Sequence, residues 1–293
     1  MRARVRDTEI YFDVDGAGLV PDGTRMREKP TAFVIHGGPG SDHSDMKQSF
    51  GRLTDRLQVV YFDHRGQGRS ARGDVSKYTL DENVEDMEAL RRHLGLGPIV
   101  SIGTSYGGMV AMAHAARYPD SVSHLILVVT AAHAGFNARA RQIVAERGTP
   151  EQVAVCEDLW AGRLDTEAKL RRYYEIMGPL YSLKYDLAAA RAGMDRRILS
   201  PDAINMAFAP GGFLRTFDLR PELPRITAPT LILAGRHDWI CHPDFSEEIH
   251  SLIPDSELRV FEHSSHSIRV DETDAFLDAV AGFVVYKTRR AAG

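Results

Sequence analysis

Cysteine is scarce in this 293-residue sequence, with Cys156 and Cys241 the two present and far apart in the chain. Two cysteines are too few for a disulfide framework, and their separation lacks the spacing of a zinc site. Long apolar runs are missing too: the longest, at residues 125–129, is far too short to cross a bilayer. The first residues lead into a strand-like pattern without an apolar signal segment. We expect a soluble cytoplasmic protein without a bound metal or a membrane partner.

An excess of one charge sign is also absent, since 36 Lys and Arg against 40 Asp and Glu give a formal net charge of −4. The basic residues are scattered, so we expect no nucleic-acid partner. A hydrophobic content of 43% is ordinary for a globular protein, and the length suits one large domain or a domain with an insertion. The oligomeric state stays open.

Short β-branched runs alternate with amphipathic helical patterns. Runs that predict buried strands cover residues 31–35, 57–62, 99–102, 124–129, 230–233 and 258–261. Helical periodicity covers residues 80–94, 106–118, 244–252 and 273–285. Continuous apolar strands suit a parallel sheet covered on both faces, and the alternating order predicts a doubly wound, mostly parallel α/β sheet. Residues 9–16 predict part of an antiparallel edge hairpin.

The pattern changes between residues 134 and 220, where strand-like runs vanish and helical segments take over, such as 138–146, 152–160 and 166–176. This stretch of roughly 85 residues is far longer than an ordinary crossover of a dozen or more. We therefore interpret 134–220 as a helical cap, or lid, inserted into a core formed by 1–133 and 221–293. A set of ordinary crossover helices is the alternative.

Residues 103–107 read Gly-Thr-Ser-Tyr-Gly, a Gly-x-Ser-x-Gly pattern that is weak by itself. Its context strengthens it, because an apolar strand ends at Ile102 and a helix begins at Tyr106. A nucleophile elbow needs this strand, sharp turn and helix, with glycines that let the helix approach the strand. We therefore predict Ser105 as a catalytic nucleophile; a plain strand-to-helix turn is the alternative.

Residues 36–40 read His-Gly-Gly-Pro-Gly and follow a predicted strand. Acyl transfer needs N–H donors near the carbonyl oxygen as it becomes an oxyanion, and glycines let the backbone come that close. We assign the oxyanion hole to the N–H groups of Gly38 and Tyr106, with Gly37 as the next candidate. His36 is better interpreted as a structural histidine, and a simple loop that closes the strand is the alternative.

A serine hydroxyl needs a base and an acid that orients it. His266 follows the last predicted strand in a serine-rich loop, and we favour it over His263, which lies closer to the strand end. Asp238 follows the preceding strand, whereas Asp244 opens a helix and more plausibly serves as an N-terminal charge there. The order Ser105, Asp238, His266 is the one expected for an α/β-hydrolase fold, and its chemistry requires no cofactor.

The chain resembles the α/β-hydrolase fold family along nearly its whole length, and within it the proline iminopeptidase group. The resemblance rests on residues 36–40, on Asp-His-Arg-Gly-Gln-Gly-Arg-Ser at 63–70, and on the serine, acid and histidine loops. The stretch 63–70 is common across the fold, whereas 36–40 is more specific. The resemblance implies a serine hydrolase.

The sequence departs from the proline iminopeptidase pattern at three places. Tyr106 follows the nucleophile where that group usually has tryptophan, and Ser265 precedes the histidine where it usually has glycine. That group also commonly has a cap carboxylate, shortly before a Gly-Gly-Phe segment, for the substrate's amino group. Residues 203–208 contain no carboxylate ahead of Gly-Gly-Phe at 211–213. A buried substrate cation would lack its partner there, which is costly.

Aromatic residues of the cap and the acid loop predict an apolar pocket for a small-molecule substrate. The candidates for substrate binding, each of which is more often a packing residue, are Gly37, Trp160, Tyr181, Phe208 and Trp239.

The leading hypothesis is a serine hydrolase that cleaves a carboxylic ester, lactone or amide through an acyl-enzyme. A proline iminopeptidase-type aminopeptidase is the alternative, and it would need acidic groups elsewhere in the cap, such as Glu175 or Asp186. A carbon–carbon bond hydrolase and a non-catalytic ligand-binding relative are weaker hypotheses. The natural substrate cannot be read from the sequence.

Overall fold

A computed structural model describes the backbone of residues 1–291 and the side chains of residues 1–284. Its strands are β1 (Arg2–Val5), β2 (Thr8–Asp15), β3 (Leu19–Asp22), β4 (Arg25–Glu28), β5 (Thr31–Ile35), β6 (Gln58–Phe62), β7 (Ile99–Thr104), β8 (Val122–Val128), β9 (Thr230–Gly235) and β10 (Ser256–Phe261). Its α-helices are α1 (Lys47–Phe50), α2 (Leu80–His93), α3 (Tyr106–Arg117), α4 (Phe136–Arg147), α5 (Pro150–Trp160), α6 (Glu167–Tyr181), α7 (Leu187–Met194), α8 (Pro201–Phe208), α9 (Pro243–Leu252), α10 (Ile268–Asp271) and α11 (Thr273–Ala291).

Eight strands form one sheet in the order β1-β2-β6-β5-β7-β8-β9-β10, and β3 and β4 form a separate hairpin. The edge strand β1 pairs antiparallel with β2, and β2 pairs antiparallel with β6. Along the rest of the sheet, from β6 through β5, β7, β8 and β9 to β10, all neighbouring strands pair parallel. The mostly parallel α/β sheet predicted from the sequence is confirmed. Because these strands run the same way, their carboxyl ends share one edge of the sheet.

Two hydrophobic cores cover the two faces of the sheet, and successive side chains of β5 alternate between them. Phe33 and Ile35 point to one core, with α2 and α3, while Ala32 and Val34 point to the other, with α1 and α11. Successive side chains of a strand face opposite sides, so a strand covered on both sides must be apolar throughout. This explains the unbroken apolar runs of the sequence.

Five helices, α4 to α8, lie between β8 and β9. Three were predicted, although α6 continues through Pro179 to Tyr181, beyond the predicted end near residue 176. The helix α7 has eight residues, none of them buried, and it is shorter than the window of about 11 residues over which periodicity is recognised. No helix in the described part of the chain is long and apolar enough to cross a membrane.

Helix α3 lies unusually close to the centre of the sheet, and glycines make this possible. A Cβ at Gly103 would lie 2.3 Å from the Gly107 carbonyl oxygen, and one at Gly107 would lie 2.1 Å from the Ile35 carbonyl oxygen. Both distances are far below a van der Waals contact, and the atoms approached belong to the backbone, which cannot rotate away. Neither position therefore accepts a side chain without a shift of the helix.

We expect Gly107→Ala to lower the melting temperature by about 6 °C or more, because overpacking against backbone costs about 3 kcal/mol. Helix propensity alone would make alanine more stable than glycine by about 1 kcal/mol, so a loss of stability here would be opposite to the effect of propensity. The control is Gly97→Ala, where a Cβ meets nothing within 4 Å. Thermal unfolding by circular dichroism measures both; equal melting temperatures would contradict the close packing.

Candidate active site

Ser105 occupies the turn between β7 and α3 with φ 55° and ψ −121°. A positive φ is strained for a residue with a side chain, so the surrounding structure must hold it. The Ser105 N–H donates to the Val128 carbonyl at 2.9 Å, and the Ser105 carbonyl accepts from Thr130 Oγ1 at 2.8 Å and from the Gly108 N–H at 2.8 Å. The turn has the strained strand-to-helix geometry of a nucleophile elbow.

The glycine loop after β5 lies directly beside this serine. A Cβ at Gly37 would lie 3.0 Å from the Thr104 carbonyl oxygen and 3.1 Å from Ser105 Cβ. Gly38 has φ +116°, a conformation that side chains rarely adopt. Tyr106 is the first residue of α3, and N–H groups of a first helical turn have no acceptor inside the helix. Backbone donors therefore lie on both sides of Ser105.

His36, the residue before the glycines of this loop, is held by contacts with His64. Its Nε2 accepts from the His64 N–H at 3.3 Å, and the two imidazole rings lie 4.4 Å apart. Burial lowers the pKa of His36, which keeps the ring neutral and able to accept. The Gly40 N–H donates to Gln67 Oε1 at 2.7 Å. These contacts give His36 a structural role and leave the base to be found elsewhere.

The histidine and acid loops meet in a hydrogen-bonded pair. His266 Nδ1 lies 2.7 Å from Asp238 Oδ2, and Asp238 Oδ1 accepts from the N–H groups of Ile240 at 2.9 Å and Cys241 at 3.0 Å. The Asp238 carboxylate is fully buried, and His266 keeps 9% of its surface exposed. A carboxylate in this position fixes the Nδ1–H tautomer and leaves Nε2 free to accept a proton.

Asp244 and His263, the less favoured candidates for the acid and the base, have other partners. Asp244 lies in the first turn of α9, exposed, with His242 Nδ1 at 3.0 Å from its Oδ2. His263 is exposed, and its N–H donates to Glu272 Oε2 at 3.1 Å. Ser105 follows β7, Asp238 follows β9 and His266 follows β10. The three favoured residues thus share the carboxyl edge of the sheet.

One of the predicted pocket residues, Tyr181, lies next to the histidine, and another, Trp239, packs against Tyr181. The Tyr181 ring meets His266 edge-on at 5.5 Å and Trp239 edge-on at 5.4 Å. Trp239 is almost fully buried, and burial raises the pKa of Tyr181 well above its usual value. The imidazole therefore has a neutral aromatic neighbour on this side.

Trp160 and Phe208 pack within the cap instead. The Arg141 guanidinium lies 4.5 Å from the centre of the Trp160 ring, and the Phe208 ring packs on Phe136 at 6.3 Å. The backbone carbonyls of Trp160 and Phe208 both accept from the Arg215 guanidinium, at 3.3 Å and 3.4 Å. These contacts show how the two side chains pack; their role in substrate binding stays a prediction.

The start of α8 covers the glycine loop, a contact that the sequence did not predict. A Cβ at Gly40 would lie 2.8 Å from Ile204 Cβ, and the Ser200 N–H donates to the Gly40 carbonyl at 2.9 Å. The Phe213 ring packs on Tyr106 at 5.8 Å. The side chain of α8 that lies against Gly40 is therefore apolar.

Asp45 joins three segments around the site. Its Oδ2 lies 2.6 Å from an Arg197 nitrogen, in the loop before α8, and 2.5 Å from an Arg269 nitrogen, in α10. Burial alone would raise the pKa of the Asp45 carboxyl, but the two guanidinium groups outweigh it and hold the pKa below its usual value. No local sequence signal identifies this cluster, because its members are far apart in the chain.

Residues 31–273 match the family model described as alpha/beta hydrolase fold. The protein belongs to the α/β-hydrolase fold family, and it is a hydrolase. The resemblance found in the sequence is confirmed.

Relatives include the proline iminopeptidase PfmaB of Pestalotiopsis fici, 31% identical over 271 residues that cover 90% of this chain and 95% of the relative. An esterase, EaEST, from Exiguobacterium antarcticum has a TM-score of 0.76 at 25% identity, with 97% and 98% of the two chains covered. The proline iminopeptidase of Mycobacterium smegmatis, at 22% identity and a TM-score of 0.78 over 99% of each chain, shares the fold. The relatives' names thus divide between peptidase and esterase.

We expect both cysteines to be unreactive toward a disulfide reagent such as DTNB in the native protein. Burial raises the pKa of the Cys156 thiol to about 12, and burial together with the Asp238 carboxylate raises that of Cys241 well above its usual range. The thiolate is the reactive form and is therefore rare at neutral pH. Absorbance should report two thiols only after denaturation. A fast-reacting thiol in the native protein would contradict this environment.

Proposed function

We propose that the protein is a serine hydrolase in which Ser105, His266 and Asp238 form the catalytic triad. Ser105 Oγ attacks the substrate carbonyl while His266 Nε2 takes its proton, and the protonated imidazole then delivers that proton to the leaving group. Water, deprotonated by the same histidine, cleaves the acyl-enzyme. The observation that supports this most is the 2.7 Å His266–Asp238 pair at the sheet edge where the strained Ser105 turn lies.

The Gly38 and Tyr106 N–H groups form the proposed oxyanion hole, with Gly37 beside it. Backbone donors that are already oriented need no reorganisation as negative charge develops, and one such donor is typically worth about 3 kcal/mol. The N-terminus of α3 adds a favourable field at the same place.

We infer that the substrate is a carboxylic ester, a lactone or an amide without a free amino group near the scissile bond. Every acidic side chain between residues 134 and 220 is exposed except Asp158, which is half-buried and pairs with Arg163. The cap residue against the glycine loop is Ile204, which cannot pair with a cation. A buried ammonium without a partner costs several kcal/mol, so an uncharged acyl group suits this surface better.

A proline iminopeptidase activity is the second candidate, and the names of the relatives favour it. It uses the same attack on a carbonyl but needs an anion for the substrate's amino group. Glu175 is exposed and pairs with Arg191 at 2.6 Å, while Asp186 is exposed and caps α7 by accepting from the Ala189 N–H at 2.7 Å. Neither carboxylate is free for that role in this arrangement.

We also propose that residues 134–220 act as a cap over a core formed by 1–133 and 221–293. Two contacts support the cap: α8 covers the glycine loop through Ile204, and α6 brings Tyr181 against His266. The cap would then define the shape of the pocket for a small-molecule substrate.

Ser105→Ala should lower kcat/KM for a short-chain p-nitrophenyl ester by at least about 10³-fold, because the nucleophile is lost. Ser101→Ala is the matched control, since Ser101 lies fully buried in the same strand, β7, away from the turn. It should retain wild-type turnover. Absorbance of released p-nitrophenol measures both variants.

A prolyl arylamide, assayed in parallel, distinguishes the two candidate functions. Ester turnover without prolyl amide turnover is the expected result. Dominant prolyl amide turnover would favour the peptidase and require an anion outside the cap positions named above. Ester turnover that survives in Ser105→Ala would refute the proposed nucleophile.

A further inference from the structure

Ser265 is a departure from the proline iminopeptidase pattern, which usually has glycine before the histidine, and its side chain makes contacts that glycine lacks. Ser265 is 1% exposed, and its Oγ lies 2.6 Å from the Leu180 carbonyl oxygen and 3.1 Å from the His237 carbonyl oxygen. Leu180 belongs to α6 of the cap, and His237 immediately precedes Asp238. One hydroxyl thus lies between the cap, the acid loop and the histidine loop.

The hydroxyl has a single proton, which the two carbonyl groups share, and the shorter distance favours Leu180 as the main acceptor. The Ser265 N–H is also engaged, donating to the buried Asp271 carboxylate at 2.9 Å. The other oxygen of Asp271 accepts from Ser182 Oγ at 2.5 Å, at the end of α6. Ser265 is therefore linked to α6 twice, once directly and once through Asp271.

The other neighbour of the histidine is fixed to the same helix, since the Ser267 N–H donates to the Tyr181 carbonyl at 2.9 Å. The two residues that flank His266 thus bind consecutive carbonyls, those of Leu180 and Tyr181. The end of α6 is consequently part of the frame that holds the imidazole.

We propose that Ser265 is a positioning residue that couples the cap to the catalytic base by fixing His266 between α6 and the acid loop. The inference rests on the proposed function, because it assigns a role relative to His266 as the base. A displacement of about 1 Å in a catalytic group can cost about 10²-fold in rate, so a partial loosening should cost about 10-fold.

The division of the loss between kcat and KM separates positioning from mere support of the fold. The side chains against the imidazole are those of Asp238, from the acid loop, and Tyr181, from α6. A displaced base weakens proton transfer in the transition state, so kcat and kcat/KM should fall together while KM stays within about twofold. A disturbed fold would alter the pocket and raise KM as well.

The test compares Ser265→Ala and Ser265→Gly with Ser264→Ala, using the p-nitrophenyl ester. Ser264 is an equally buried neighbour whose Oγ donates to Glu272 Oε2 at 2.7 Å, outside the cap and the acid loop. Both Ser265 variants should lose about 10-fold in kcat, with KM within about twofold of wild type. Ser264→Ala should stay within about twofold in both kcat and KM. Ser265→Gly removes the same hydroxyl together with Cβ, and circular dichroism checks that both variants are folded.

Equal kcat values for the Ser265 and Ser264 variants, or a loss in Ser265→Gly that falls on KM and not on kcat, would overturn the positioning role while leaving the triad intact. Wild-type protein without ester turnover, or turnover independent of Ser105, would instead overturn the proposed function and the role of Ser265 with it. The two failures are thus distinguished by the wild-type and Ser105→Ala assays.

Discussion

The close approach of α3 to the centre of the sheet is the constraint on which the site depends. It exists because Gly103 and Gly107 leave no Cβ between helix and backbone. The strained turn at Ser105 costs on the order of 1–3 kcal/mol. Burial of every α3 residue except Arg117 can offset that cost, since a fully buried apolar side chain contributes about 1.5–3 kcal/mol. The helix packing thus stabilises the turn that exposes a nucleophile beside the glycine loop.

The signals that predicted the sheet, and those on which the choice of site residues rests, are local. Apolar runs define the strands, the glycines of 103–107 define a tight strand-to-helix turn, and parallel strands bring their carboxyl ends together. Once Ser105, Asp238 and His266 each follow a strand, topology alone places them at one edge. The choice of His266 over His263 used the same reasoning, since a residue farther past the strand end can reach over the edge.

The cap contacts could not be predicted, because they join segments with no local relation. Tyr181 meets His266 only because α6 continues through Pro179, where a periodicity analysis stops. A proline near a helix end sacrifices one N–H bond, and the tertiary contacts of the following residues outweigh that loss. Trp160 has the same aromatic character and cap location, yet it packs under Arg141. Residue type therefore does not separate a pocket residue from a packing residue.

The environment of the base also bears on the substrate. His266 is largely buried with the Tyr181 ring against it, and Ile204 faces the glycine loop, so the site has a low local dielectric. In such a medium the Asp238 carboxylate interacts strongly with the imidazolium formed during the reaction, and oriented N–H donors interact strongly with an oxyanion. The same medium penalises a substrate ammonium that has no carboxylate partner. If Ser105 is the nucleophile as proposed, the same electrostatics that suit acyl transfer favour an acyl group without charge.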